Sequence, residues 1–88
     1  MKPHPVLRGK TTDVLCAIYD SLQWHGRPPT LRELAGVTGI ASTNGVRYHL
    51  KRLIKHGLIE HDPLVTRGLR LTDKSMRAIR RMGESHRS

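Results

Sequence analysis

The chain has one cysteine, no phenylalanine, one tryptophan, two tyrosines and only seven acidic residues among 88. Each scarcity excludes something. A lone Cys16 cannot close an internal disulfide, so packing must hold the fold, as suits a reducing compartment. With no activating base near it in sequence, Cys16 is not expected to be a catalytic thiol. Tyr19, Trp24 and Tyr48 are too few and too scattered for the base-stacking platform of a single-strand binder. No apolar run reaches the ~18 residues of a transmembrane helix, and Lys2-Pro3-His4-Pro5 lacks the apolar core of a signal peptide. A cytoplasmic location is therefore expected. His4, His25, His49, His56, His61 and His86 show no Cys/His ligand spacing, so neither a metal nor any other cofactor is expected. No nucleophile-base pair or paired carboxylates suggest an enzyme.

What the chain does have is positive charge. Sixteen Lys plus Arg against seven Asp plus Glu give a formal +9, which makes an anionic polymer the leading partner. At 88 residues there is material for one core, hence one domain.

Residues 1–10, with two prolines, a glycine and three Lys or Arg, read as a flexible basic arm. From Asp13 to His25, Val14, Leu15, Ile18, Tyr19 and Leu22 recur at helical spacing, with Thr11 or Thr12 as cap and Gly26 as stop. Arg27-Pro28-Pro29 must be extended. Thr30 and Glu33 form a capping-box pattern opening a second helix, with Leu34, Ala35 and Val37 facing inward. Gly36 there costs about 1 kcal/mol relative to alanine, which predicts close packing against a neighbour. Thr38-Gly39 ends this helix, and Ile40 is expected in the core.

Ser42 is the predicted N-cap of a third helix running to His56, closed by Gly57. At 100° per residue Val46, Leu50, Leu53 and Ile54 share one face, with His49 at its edge. Asn44, Tyr48, Lys51, Arg52 and Lys55 point away and Arg47 lies on the flank. Leu58–His61 and Gly68–Leu71 alternate as two strands around residues 62–67. At that tip Leu64 and Val65 either pack over the hairpin or wedge into a groove. Thr72 caps a last helix, Asp73 to about Met82, whose Met76, Ile79 and Met82 either cover the first helix or pair two subunits. Residues 83–88 read as a disordered tail.

The predicted fold is mainly α with a small β-hairpin: a winged helix-turn-helix over residues 11–72, with an added helix at 73–82. The chain resembles the DNA-binding domain of LexA-type repressors from about Thr12 to Leu71. The matching residues are Pro28-Pro29-Thr30, Glu33-Leu34-Ala35, Gly39, Ser42-Thr43-Asn44, His49-Leu50, Leu53, Lys55-His56-Gly57-Leu58-Ile59 and Arg67-Gly68-Leu69-Arg70-Leu71. The resemblance implies a third helix set into the major groove, usually as a dimer on a pseudo-palindromic operator.

The residue chemistry supports the same docking. Asn44 can pair with adenine, Arg47 can reach guanine O6 and N7, and Thr43 and Tyr48 complete the expected base readers. Ser42, Lys51, Arg52 and Lys55 are expected on phosphates, and Arg67 and Arg70 of the wing on the backbone or an adjacent minor groove. Several family members place acidic residues where this chain has Arg47 and Tyr48, so its operator should be its own. A complete repressor of this type continues into a self-cleaving domain with a serine-lysine pair; these 88 residues do not, and no autoproteolysis is expected of them. Ala35-Gly36 matches the family's cleaved dipeptide but lies inside the second helix, a coincidence.

The expected function is thus sequence-specific double-stranded DNA binding in transcriptional regulation, by a repressor, possible as a homodimer on DNA and with a regulatory protein partner. The alternatives are a protein-interaction adaptor and a low-specificity structural DNA-binding protein.

Overall fold

A computed structural model describes residues 9–61 and 68–85. Four helices and a hairpin follow one another: α1 (Gly9–His25), α2 (Leu31–Thr38), α3 (Thr43–Lys55), β1 (Ile59–His61), β2 (Leu69–Leu71) and α4 (Asp73–Ser85). The strands pair antiparallel in the register Ile59 with Leu71, Glu60 with Arg70 and His61 with Leu69. This is the expected winged helix-turn-helix order.

Local chemistry sets the boundaries of α2 and α3. Thr30 Oγ1 accepts the Glu33 N–H at 3.0 Å while Glu33 Oε1 accepts the Thr30 N–H at 2.8 Å, a complete capping box. Gly39, with φ of 75°, closes α2 by donating its N–H to the Ala35 carbonyl. Ser42 Oγ then accepts the Gly45 N–H and caps α3. At the far end, Leu58 N–H reaches the Leu53 carbonyl and Gly57 N–H the Ile54 carbonyl, the paired bonds of a Schellman motif, with Gly57 at φ 73°. Leu53 and Leu58 are both fully buried, so this terminus is fastened by packing as well as by hydrogen bonds.

The core joins Val14, Leu15 and Ile18 of α1, Leu34 of α2, Val46, Leu50 and Leu53 of α3, and Leu58 and Ile59 leading into the wing. Burying side chains of this size stabilises by about 1.5–3 kcal/mol each. Three departures from helical-wheel expectation appear in α2 and α3. Val37 is 75% exposed, and Thr38 is buried in its place with its hydroxyl donated to the Leu34 carbonyl at 2.7 Å. Ile54 is 42% exposed at the edge of the apolar face. Among the described residues no atom beyond the local helix backbone lies within 4 Å of where a Cβ on Gly36 would sit, in contrast to the close packing expected there.

The ends of the chain also differ from expectation. α1 begins at Gly9, inside the expected arm, and its first turn is a fastening: Lys10 Nζ donates to the Thr38 carbonyl and Thr11 is buried. Residues 1–8 lie outside the described residues. At the other end Thr72 Oγ1 accepts the Ser75 N–H, as a cap should, and donates to the Gly57 carbonyl. α4 runs to Ser85, past the expected start of a tail at Gly83. It seats Ser75, Ala78 and Ile79, while Met76 is 37% exposed; the Met82 side chain lies outside those described. Ile79 is partly buried against the core, whereas Met76 is turned outward.

Candidate nucleic-acid interface

α3 owes its exposed cationic surface to its sequence, TNGVRYHLKRLIK, which places four Lys or Arg and no Asp or Glu around a three-residue buried seam. Thr43, Asn44, Arg47, Tyr48, Lys51 and Lys55 are all exposed, as expected. Asn44, Lys51 and Lys55 fall within about 40° of one another on the helix, with Arg47 and Tyr48 on either side. Among the described residues no hydrogen bond or ion pair engages Asn44, Arg47, Lys51 or Lys55, so these groups are available to a ligand. Ser42 lies at the N-terminus of the helix, where backbone donors and the helix dipole favour an anion.

Arg52 differs from its neighbours. It is half-buried, and Nη1 donates to Tyr48 Oη at 3.1 Å with the guanidinium carbon 5.6 Å from the ring centroid. His49 meets the Tyr48 ring edgewise, with centroids 5.1 Å apart and planes at 78°. His49 Nδ1 is in turn 2.7 Å from Thr11 Oγ1, which ties α3 to the first turn of α1 and bears out an edge position for this ring. Burial and then the nearby Arg52 cation lower the His49 pKa from its ordinary value.

In the wing, Arg70 lies 3.6 Å from Glu60, its cross-strand neighbour, so it does not project as a bare cation. Such an exposed pair is worth at most about 1 kcal/mol and yields readily to a phosphate. Arg67, Leu64 and Val65 lie outside the described residues. Cys16 is half-buried on α1, and burial followed by the Asp20 and Asp13 carboxylates pushes its thiol up, which disfavours the reactive thiolate. Among the described residues no three His, Cys, Asp or Glu converge as a metal-ligand set, and no helix is long and apolar enough to cross a membrane.

Sequence reasoning missed Gly45. A Cβ there would meet Ile40 Cγ2 at 2.7 Å, so the first turn of α3 is pressed directly onto the turn residue before it. Glycine between Asn44 and Val46 in an otherwise amphipathic helix was the available signal. Lys10 and Thr11 were also missed as fastenings, because their partners on α2 and α3 are 28 and 38 residues away.

A buried three-helix platform, a capped and unopposed cationic third helix, and a two-stranded wing beside it define a winged helix-turn-helix protein of the nucleic-acid-binding kind. More particularly, the chain belongs to the LexA DNA binding domain family, whose model matches residues 7–68. It is 40% identical over 70 residues to the LexA repressor of Oenococcus oeni, covering 80% of this chain and 33% of that protein. The LexA repressor of Limosilactobacillus fermentum is 39% identical over 70 residues, with 80% and 34% covered. That of Anaeromyxobacter dehalogenans is 38% identical over 79 residues, with 90% and 34% covered. The chain therefore spans about a third of the length of these relatives.

Proposed function

We propose that this chain binds double-stranded DNA at a defined sequence and represses transcription by occupying its site, without catalysing a reaction. The observation that carries this reading is the exposed stripe of Asn44, Arg47, Lys51 and Lys55 on a helix fixed by caps at both ends and by Val46, Leu50 and Leu53 beneath. Thr43, Asn44, Arg47 and Tyr48 near its start meet base edges in the major groove; Arg47 suits guanine O6 and N7, Asn44 adenine N6 and N7. Ser42, Lys51 and Lys55 hold phosphates, joined by Arg67 and Arg70 from the wing. The similarity to proteins named LexA repressors supports repression as the outcome. Two copies on half-sites about 34–36 Å apart would follow the usual geometry of this class.

Selection of bound duplexes from a random pool, followed by titration across salt concentrations, tests the reading. A defined motif should emerge, with log affinity falling by about 0.9 per phosphate contact against log salt. Binding without an enriched motif would point to a low-specificity structural protein, and no binding at all to an adaptor for another protein.

A further inference from the structure

We propose that Tyr48 is a hydrogen-bond donor that selects an acceptor on a base edge, and that Arg52 is the positioning residue that aims it rather than a phosphate anchor. This rests on the DNA-reading function proposed above. Arg52 stands one turn beyond Tyr48 on α3, and its guanidinium is committed: Nη1 donates to Tyr48 Oη at 3.1 Å and the group lies 5.6 Å from the ring centroid. Its Nε is buried without an acceptor among the described residues. A group seated this way is poorly placed to swing out to a phosphate, whereas Lys51 and Lys55 are exposed. On the other side the His49 ring abuts Tyr48 edgewise at 5.1 Å, and His49 is itself held by Thr11. Tyr48 is thus bracketed on two sides while 56% exposed.

The polarity of the phenol follows from the pair. Tyr48 Oη accepts from Arg52, and a guanidinium has no acceptor to offer, so the tyrosine proton must point elsewhere. The cation also polarises the O–H and strengthens it as a donor. A donor held at the groove face suits purine N7, guanine O6 or thymine O4 and opposes the amino group of cytosine. Ordering the ring before DNA arrives reduces the entropy lost on binding.

The test is motif selection and salt titration on the whole chain and on Tyr48→Phe, Arg52→Gln, Arg52→Lys and the Tyr48→Phe/Arg52→Gln double variant, with thermal unfolding confirming that each folds. Tyr48→Phe and Arg52→Gln should relax preference at the same base position by about three- to tenfold. The double variant should lose no more than the worse single one, and the salt slope should stay unchanged. Arg52→Lys keeps the stem and charge but not the planar fork, and should relax the motif as Arg52→Gln does. If Arg52→Gln instead weakens all sequences alike and lowers the salt slope by about 0.9, and Arg52→Lys restores binding, Arg52 is a phosphate anchor and the proposal is overturned. A wild-type chain that enriches no motif would remove the DNA-reading function first and this inference with it, a result distinct from the phosphate-anchor outcome.

Discussion

α3 and α4 are each thirteen residues long and each carry four Lys or Arg, yet they are mounted very differently. α3 has no acidic residue, sinks Val46, Leu50 and Leu53 into the core, and is closed by a serine cap at one end and a Schellman turn at the other. α4 has Asp73 and Glu84 among its cations, and of its described side chains only Ser75 is fully buried, with Ala78 and Ile79 partly so. It also begins after the stretch that matches the family. Counting Lys and Arg alone makes the two equivalent. What separates them is seating: α3 rests on three buried side chains and is capped at both ends, and the proposed readout of base edges needs side chains held in register with the groove.

The sharpest way to break this contrast is to undermine each helix from below. Leu53→Ala should cost about 2–4 kcal/mol by leaving a cavity under α3, whereas Ile79→Ala, on a partly buried residue, should cost about 1 kcal/mol. Denaturant unfolding measures both, and equal losses would mean that α4 is as integral to the core as α3. A second pair probes the glycines. Gly45→Ala pushes a methyl into Ile40 and should destabilise by about 1 kcal/mol, strain outweighing the gain in helix propensity. Gly36→Ala meets open space and should stabilise by up to about 1 kcal/mol. Melting temperatures moving in the same direction would show that α3 does not rest on its turn as described.

A smaller effect is expected from pH. His49 has a lowered pKa in the folded chain, so the unfolded chain binds the proton more readily and stability rises with pH. The contribution of the neutral ring should be complete above the ordinary value of about 6.5 and be lost as pH falls below it. His49→Gln should flatten the pH dependence of stability through that range, measured by denaturant midpoints; an unchanged slope would assign the dependence to other groups.

Capping and turn chemistry was legible because it is local: Thr30 with Glu33, Ser42, Gly39 and Gly57 act within a few residues of themselves. The two wing strands, and the core face of α3 apart from Ile54, followed from periodicity; the register of Ile59 with Leu71 did not. What escaped were properties set by how elements cross. Whether Val37 or Thr38 turns inward depends on where α2 meets its neighbours, and the Thr38 hydroxyl is admitted because Leu34 supplies an acceptor. The extent of α1 depends on the tertiary partners of Lys10 and Thr11, and the half-buried setting of Arg52 on a pairing with Tyr48 that the wheel, which turned Arg52 outward, did not bring out. Among the described candidates on α3, the wheel found Thr43, Asn44, Arg47, Tyr48, Lys51 and Lys55 exposed and left the pairing of Arg52 with Tyr48 unread.

Sequence reading is proposed to reside in the face of α3 and not in positive charge in general. Motif selection with Arg47→Ala beside Arg77→Ala of α4 tests it most directly. Arg47→Ala should change the preferred bases at one position, costing about 1–3 kcal/mol on the original site, while Arg77→Ala leaves the motif intact. The same motif from both variants, with equal loss of affinity on every sequence, would contradict the account.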